Sequence, residues 1–509
     1  MVFDFKGIPK IKIPVELSSL DSKEAELDFL NKYLGYCLSA HNQNAVKIDY
    51  LYNFYLGNQD ISGKTRTYRE DNPNVVNNKD VENHAYAQVE FKKALCNTLQ
   101  YTHKDGVEST DDLSALGRIL TDADFDSKHQ EVLEYIFSTG IGTTFSIPKT
   151  NIINEDGTYK NGFNIDYEAP FIFEAVNPCV NFNIYSSYIG EDALFSVCIV
   201  DKSEISSNNI VGNQIIDRKY QIIVYSRNFF YKYKAGIDYS NIVLEEVKPV
   251  AFHFLPLIEY SFNKARIGIV EINRDEYNVI NLIISNSADA TVDTVNQVIV
   301  FENVDITEEQ MNEMLACGAI KIKSDISSGM TVGSKVYTLE MKFNHTDINV
   351  FYEQRLINSY MIAGCVRAMS NTNSGGTTQS GSQTANGWDN AWLLINKDIK
   401  SIRRYDYEQL KLFLEMVRLV PGTTIKDIKA SEIEIKYNLN PNDNILSKAQ
   451  ALKYFDEMNM PEEMALQKSG LSMDINEEGR KWRDNKEKQA EKQAEKSKIS
   501  TSVNGNIAL

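Results

Sequence analysis

The stretch RDEYNVINLIISNSADATVDTV, residues 274–295, decides most about the fold. It contains neither Gly nor Pro, so it predicts one uninterrupted helix whose 22 residues would reach about 33 Å. Its second half carries small and polar side chains instead of a broad apolar stripe. We therefore expect this helix to lie close to other helices, outside any single deep core.

A compact unit follows this helix at residues 297–345. QVIVFENV predicts a strand, and Thr307–Gln310 has the form of a capping box that opens a short helix ending near Gly318. AIKIKS and KVYTLEMKF predict two further strands. The pattern indicates a small β-α-β-β module inserted between two long helices, the second of which is predicted over residues 346–369.

SNTNSGGTTQSGSQTANG, Ser370–Gly387, separates this second helix from a third one predicted over residues 388–419. The stretch has no charge, no aromatic ring and almost no apolar side chain, so it cannot pack a core. Its composition alone favours a surface linker. Beyond the third helix, SEIEIKYNLNP predicts a strand and residues 444–470 return to a helical pattern.

The part of the chain before residue 274 is helical first and β-rich afterwards. Helical periodicity is predicted over residues 21–60, 79–103 and 110–139. Residues 140–260 contain short β-branched or aromatic runs between turn signals, among them TTFSIPKT, FIFEAVNP and ALFSVCIVDK. The fold class predicted from the whole order is α+β.

Composition limits the classes of function. The 509 residues are too many for one core, and the net charge of −17 repels nucleic acid, so a conventional DNA-binding domain is not expected. Six scattered cysteines without a CxxC pair favour reduced thiols in a cytoplasmic protein. No signal peptide or membrane span is predicted. The tail 479–498 carries eight Lys or Arg against four Asp or Glu, and suits either a solvated helix end or contact with DNA or an acidic partner.

Several motifs suggest chemistry and have plainer interpretations. GNQDISGKT, Gly57–Thr65, resembles a phosphate-binding loop but has five residues, not four, before its Gly-Lys pair, and a helix precedes it. FFYKYK, Phe229–Lys234, could stack bases but fits a strand with an aromatic and a basic face. The acidic groups TDDL and TDADFDS lack the spacing of a calcium loop and fit helix starts. No histidine cluster or catalytic constellation appears, and no metal or cofactor is expected.

The order of the segments resembles the portal proteins of tailed bacteriophages, most closely those of siphophages of Gram-positive bacteria. IDYLYNFYLGNQDI is similar to the tyrosine-rich N-terminal segment of that family, and DNPNVVNNKDVENHAYAQVEFKKALC resembles the Asn-rich stretch and helix that follow it. FLPLIEYSFNKARIGIVEINRDEYNVINLIISNSADAT resembles the approach to the stem, although NKARIGIVEIN departs from the usual Glu-x-x-x-Gly-Asp/Glu pattern.

The resemblance implies a portal fold with a helical and β-rich wing, long stem helices, a small α/β clip and a helical crown. It divides the chain into a wing (1–273), a stem helix (274–296), the clip (297–345), a second stem helix (346–369), a tunnel loop (370–387), a long helix with a wing strand (388–443), the crown (444–478) and a basic tail (479–509). The loop residues implied to face DNA are Asn371, Thr372, Asn373, Ser374, Thr377, Thr378, Gln379, Ser380, Ser382 and Gln383. The clip residues implied to contact partners are Glu308, Glu309, Asn312, Lys321 and Lys323.

The implied function is that of a non-enzymatic subunit of a homo-oligomeric ring, a dodecamer, at one capsid vertex of the virion. Double-stranded DNA would pass through the channel, and the implied partners are the terminase large subunit, a head-completion adaptor, and the major capsid and scaffolding proteins, with assembly in the host cytoplasm. Two alternatives stay open: another phage neck or baseplate protein, or a nucleotide-dependent enzyme that uses Lys64.

Overall fold

The structure, a computed structural model, shows helices and sheets in alternation. It describes residues 6–61, 63–64, 77–96, 99–104, 112–149, 163–164, 167–202, 204–206, 214–217, 219–236, 239, 241–250, 252–295, 298–302, 307, 309, 335–339, 345–365, 381–420, 425, 428–437, 451–455, 457–458, 460 and 464–465. Its helices are α1 (Lys23–Tyr55), α2 (His84–Leu95), α3 (Asp112–Asp122), α4 (Phe125–Thr139), α5 (Ile269–Val295), α6 (His345–Ala363) and α7 (Gly381–Arg418). Its strands are β1 (Ile11–Ile13), β2 (Leu99–His103), β3 (Gly142–Pro148), β4 (Phe171–Val176), β5 (Asn181–Ser186), β6 (Ala193–Asp201), β7 (Glu204–Ser206), β8 (Gln214–Asp217), β9 (Tyr220–Tyr225), β10 (Phe229–Ala235), β11 (Val243–Pro249), β12 (Leu257–Tyr260), β13 (Val298–Glu302), β14 (Lys335–Leu339) and β15 (Ile433–Tyr437). The predicted α+β class is confirmed.

The chain divides into two compact units. Unit 1 holds residues 1–56, 85–272 and 363–509, and unit 2 holds residues 57–84 and 273–362. One of the boundaries between the units falls within α5, where Ile272 belongs to unit 1 and Asn273 to unit 2.

The largest core of unit 1 lies between α1 and a six-stranded sheet of order β1-β5-β6-β9-β10-β11. Helix α1 begins after Ser22, whose hydroxyl accepts a hydrogen bond from the backbone N–H of Ala25 at 3.2 Å. Its apolar side chains recur at helical spacing and are buried with those of the sheet. In β10, Tyr231 and Tyr233 enter the core while Lys232 lies on the other face, as the alternation in FFYKYK predicts.

A second sheet of unit 1, of order β12-β3-β4, packs against α4 and α7. The ring of Phe413 on α7 stacks on Phe171 of β4, with ring centroids 4.5 Å apart. Gln409 of α7 accepts a hydrogen bond from Thr144 Oγ1 at 2.8 Å and donates one to Ser146 Oγ at 2.9 Å. Two buried polar groups of a strand are thereby satisfied by a helix.

A tight backbone junction in unit 1 precedes α5. Arg266 has a positive φ of 55°, and its guanidinium is buried against Glu259 at 2.8 Å. A Cβ on Gly140, whose φ is +97°, would lie 2.3 Å from the backbone oxygen of Arg266, and one on Gly7 would lie 1.9 Å from that of Ala265. The junction therefore requires glycine at both positions. It lies within NKARIGIVEIN, the segment that departs from the family pattern.

Three predicted boundaries are wrong. Residues 99–103, predicted as the end of a helix, form β2, because they pair antiparallel with β15 from Leu99↔Tyr437 to His103↔Ile433. Helix α6 ends at Ala363 instead of residue 369, because Gly364 adopts a φ of +67° that terminates the helix. Helix α7 begins at Gly381 instead of residue 388. Most of the predicted crown and all of the basic tail lie outside the described residues.

Candidate channel and assembly segments

The predicted tunnel loop is shorter than eighteen residues. Because α7 begins at Gly381, the predicted loop residues Ser382 and Gln383 belong to the first turn of that helix. The other predicted loop residues lie outside the described part of the chain: Asn371, Thr372, Asn373, Ser374, Thr377, Thr378, Gln379 and Ser380. Their proximity to DNA stays a prediction.

Within the described residues, the predicted clip contains one antiparallel pair of strands. β13 and β14 pair antiparallel from Val298↔Leu339 to Glu302↔Lys335, as two of the predicted strands require. Glu309 is helical and exposed. The other clip residues predicted to contact partners, Glu308, Asn312, Lys321 and Lys323, lie outside the described residues, as does the AIKIKS strand.

Lys64, the lysine of the phosphate-loop-like motif, has a structural position. Its ammonium lies 2.5 Å from Asp289 Oδ2, and both side chains are only 4% exposed. It also donates to the backbone oxygen of Asn78 at 2.8 Å. A lysine that serves nucleotide phosphates must present its charge to them, whereas this ammonium is already bound within unit 2.

A row of buried polar side chains runs along α5 in unit 2. Asn281, Ser285 and Asp289 are each at most 3% exposed and recur every four residues, so they lie on one helix face. We call residues 77–83 the strap, because the main chain of this segment is bonded to that face. The bonds use the backbone of every second strap residue, which is the mark of an extended chain.

Three hydrogen bonds join the strap to α5; we call this set the ladder and each bond a rung. The N–H of Glu82 donates to Asn281 Oδ1 at 2.9 Å, that of Asp80 to Ser285 Oγ at 2.9 Å, and that of Asn78 to Asp289 Oδ1 at 2.8 Å. Four helical residues rise about 6 Å and two extended residues about 6.6 Å, so the spacings of helix and strap coincide. The strap and α5 therefore run antiparallel.

The polar groups of the row are used in both directions. Ser285 Oγ returns a bond to the backbone oxygen of Asp80 at 3.2 Å. Asn281 Nδ2 donates to Gln59 Oε1 at 2.6 Å, and Gln59 Nε2 donates to Asn83 Oδ1 at 3.0 Å. Asp289 binds through both carboxylate oxygens. A buried polar network of this kind is stable only when its members are satisfied, as these are.

Helices α5 and α6 meet within unit 2 through further polar contacts. Asn273 Nδ2 donates to the backbone oxygen of Ser359 at 2.9 Å, and Arg355 Nη1 lies 3.1 Å from Glu276 Oε1. The hydroxyl of Tyr352 on α6 donates to the carboxylate of the strap residue Glu82 at 2.7 Å. The two predicted stem helices are thus joined, and the strap contacts both.

The outward face of α6 is apolar. Val350, Ile357 and Met361 are 52%, 45% and 62% exposed, and Phe351 and Ile362 flank them. Among the described side chains of α5, α6 and the strap in unit 2, seven large apolar ones are exposed (Val81, Leu282, Val350, Phe351, Ile357, Met361 and Ile362), and three are buried (Tyr277, Ile280 and Leu356). An apolar surface of this kind marks a place where another protein packs.

Unit 1 fixes the chain on either side of the predicted loop. After α6, Cys365 is buried and its thiol contacts the backbone oxygen of Gln88 at 3.6 Å; burial raises the pKa of this thiol to about 12. On α7, Asp398 pairs with Lys92 of α2 at 2.5 Å, a contact in which the lysine side chain is 3% exposed. Farther along α7, Asp406 is held by His129 and by the hydroxyl of Tyr437.

Metal and membrane chemistry find no support in the described ranges. No group of three or more His, Cys, Asp or Glu side chains there could hold a metal ion. Among the same residues, no helix is both long enough and apolar enough to traverse a bilayer. Asp112 and Asp126 lie in the first turns of α3 and α4, where carboxylates suit helix starts.

The ladder is the feature that sequence reasoning missed. The spacing of Asn281, Ser285 and Asp289 is visible in the sequence, but small and polar residues on a helix predict close contact with another helix. The sequence signal for such a ladder is a row of polar residues spaced strictly four apart on a helix that carries few large apolar residues on that face.

Comparison with known proteins identifies the family. The model of the family "Phage portal protein, SPP1 Gp6-like" matches residues 34–492. No curated protein matches the chain. The match includes the part of α1 from residue 34 onward, both predicted stem helices, the predicted clip and α7, which are the segments whose order suggested a portal. The chain therefore belongs to the SPP1 Gp6-like family of phage portal proteins, which are structural proteins of the virion.

Proposed function

We propose that this chain closes with copies of itself into a ring, a dodecamer, through which double-stranded DNA passes during packaging and ejection. The apolar outward face of α6 carries the proposal. The described side chains of α5, α6 and the strap include more exposed than buried large apolar groups in unit 2, so a single subunit leaves the apolar face of α6 without a packing partner.

The spacing of the exposed residues fits a helix from a neighbouring copy. Val350, Gln354, Ile357 and Met361 are all exposed and follow one another at intervals of four, three and four residues. This alternation is the seam by which two helices pack knobs into holes. The buried residues of α6, such as Leu356 and Ser359, lie on the opposite side and contact the subunit itself. In a head-to-tail ring this face would meet a different surface of one neighbour, and the other neighbour would be met by a second surface of the same subunit.

The segments outside the helices would supply the channel and the docking sites. The loop before α7, with Asn371–Ser380 at its centre, is uncharged, so duplex DNA could slide past it without the counterion release that lysines would cause. The clip around β13 and β14 would meet a head-completion adaptor, and the ring would dock the terminase large subunit and contact major capsid and scaffolding proteins. Assembly would take place in the host cytoplasm, and the finished ring would lie at the portal vertex of the virion.

The alternatives gain no support. Lys64 is bound to Asp289 and Asn78, which removes the reason for a nucleotide-dependent enzyme. Membership of a portal family leaves no observation in favour of a neck or baseplate role.

Electron microscopy and light scattering of the full chain test the proposal. The wild-type protein should form closed rings with a channel wide enough for duplex DNA. Ile357→Glu should abolish them, because a carboxylate would have to be desolvated at each contact, at several kcal/mol per contact. Asn349→Glu is the matched control: it adds the same charge to an exposed residue of α6 outside the apolar face, and rings should persist.

Two results would contradict the proposal. A wild-type chain that stays monomeric or dimeric at high concentration would argue against the ring. Rings of Ile357→Glu as abundant as those of the wild type would show that the outward face of α6 does not meet a neighbour.

A further inference from the structure

Unit 2 is held together by polar contacts to an unusual degree. Among the described side chains of α5, α6 and the strap in unit 2, the large apolar ones that are buried are Tyr277, Ile280 and Leu356. Apolar burial is the main favourable term in most folded units, so it is small here in a single subunit. The bonds between α5 and the strap must supply the restraint that the core does not.

Loss of the hydrogen bonds at one end of the ladder would expose the remaining bonds to water. Each rung joins a side chain of α5 to a main-chain N–H of the strap. The strap itself is largely exposed on its other side, since residues 79–82 are all exposed. Water can therefore replace the rungs one after another once an end opens.

The Lys64–Asp289 pair closes the end of the ladder that lies farthest along α5. It joins two charged side chains, each 4% exposed, at the residue that also carries the last rung, Asp289. Opening this end separates a buried ammonium from a buried carboxylate, which is far less favourable than breaking a neutral hydrogen bond. The pair also holds Asn78 from both sides: Asp289 accepts from its N–H, and Lys64 donates to its oxygen.

We propose that the strap is a latch, closed by Lys64 and Asp289, that keeps α5 and unit 2 folded in the single subunit before neighbouring copies assemble. The role before assembly rests on the proposed ring; the role in the single subunit does not. Once neighbours cover the apolar face of α6, unit 2 gains a second source of stability and depends less on the latch.

Hydrogen exchange read by mass spectrometry on the full-length chain tests the latch. Asp289→Asn keeps an oxygen for the N–H of Asn78 but leaves the ammonium of Lys64 without a counter-charge. In the single subunit, exchange at the amides of Asn78, Asp80 and Glu82 should quicken by about a hundredfold or more. Peptides from β6 and β9 in unit 1 should exchange as in the wild type.

The matched control is Glu276→Gln, which makes the same chemical change in the half-exposed Arg355–Glu276 pair of the same unit. It should change exchange in the strap by about threefold or less. Ser285→Ala is a milder second variant, because it removes the middle rung without stranding a charge, and should quicken strap exchange about tenfold. It keeps the test informative if Asp289→Asn fails to fold.

The outcomes separate the latch from the ring. Strap exchange in Asp289→Asn no faster than in Glu276→Gln would overturn the latch, whether or not rings form. An equal hundredfold effect in single subunits and in assembled rings would overturn its special role before assembly. If the wild type forms no ring, the proposed function fails, while the comparison in single subunits still decides whether the latch exists.

Discussion

Replacing Lys47 by Met should destabilise unit 1, because it removes the ion pair between α1 and Glu271 of α5 and the bond from Lys47 to Gly7 near the N-terminus. The ammonium of Lys47 lies 2.7 Å from Glu271 Oε1 and donates to the backbone oxygen of Gly7 at 2.9 Å. The two carboxylate oxygens of Glu271 accept from the N–H of Gly7 at 3.0 and 3.1 Å. Met fills a similar volume without charge, so the change removes the electrostatic contact and leaves most of the packing.

The magnitude follows from what stays behind. Lys47 is 1% exposed in its side chain and Glu271 12%, so the substitution leaves a nearly buried carboxylate without its counter-charge. Breaking a buried pair in this way costs about 3–5 kcal/mol. Because Glu271 keeps two hydrogen bonds from Gly7 and lies in the first turn of α5, where the helix dipole favours a negative charge, we expect the lower end, about 3 kcal/mol.

The thiol of Cys37 provides the assay. Cys37 lies on α1 and is fully buried in the largest core of unit 1, so a thiol reagent reaches it only after this core opens. The rate of its labelling under native conditions should rise by about 10²-fold in Lys47→Met. The double variant Lys47→Met/Glu271→Gln should recover about 2 kcal/mol, since a glutamine oxygen still accepts from Gly7 and no charge is stranded. A change below about 1 kcal/mol, or no recovery in the double variant, would refute the assignment of a buried ion pair at this junction.

Three further predictions concern unit 1. Burial lowers the pKa of His41 to about 4, so its contribution to the free energy of unfolding, about 3 kcal/mol, is complete above about pH 6.5 and is lost as the pH falls toward 4. His41→Gln should therefore flatten the fall of the thermal midpoint over this pH range. Gly140→Ala should abolish or strongly reduce soluble folded protein, because its Cβ would lie 2.3 Å from the backbone oxygen of Arg266 at a φ of +97°. Gly117→Ala, by contrast, should raise the thermal midpoint, because this position inside α3 has open space and alanine favours the helix by about 1 kcal/mol.

Periodic segments could be predicted from the sequence, because their patterns depend on near neighbours in the chain. The helical pattern over residues 21–60 corresponds to α1, and the alternation of Phe229–Lys234 corresponds to β10 with Tyr231 and Tyr233 inside. The predicted helix at residues 274–295 corresponds to α5, which begins five residues earlier at Ile269. In these segments the burial of side chains follows the same period that defines the element.

The errors arise where distant residues decide the structure. β2 exists because β15, more than three hundred residues later, pairs with it, and no local pattern reports such a partner. The small and polar residues of α5 predict close contact with other helices, whereas the structure buries three of them against the main chain of the strap, and main-chain atoms leave no signature in a sequence. For the same reason the sequence could reject Lys64 as a phosphate ligand but could not find Asp289 for it.

The ladder also determines which mutations the strap can tolerate. The bonds from Asn281, Ser285 and Asp289 reach main-chain atoms, so most amino acids placed at Asn78, Asp80 or Glu82 would still present the N–H that each rung needs. Proline is the exception, since it has no N–H to offer. Apart from Glu82 and Asn83, whose side chains bind Tyr352 and Gln59, related sequences could therefore diverge along residues 77–83 while α5 keeps its polar row. An alignment would then rank as dispensable a segment whose backbone is bonded to α5.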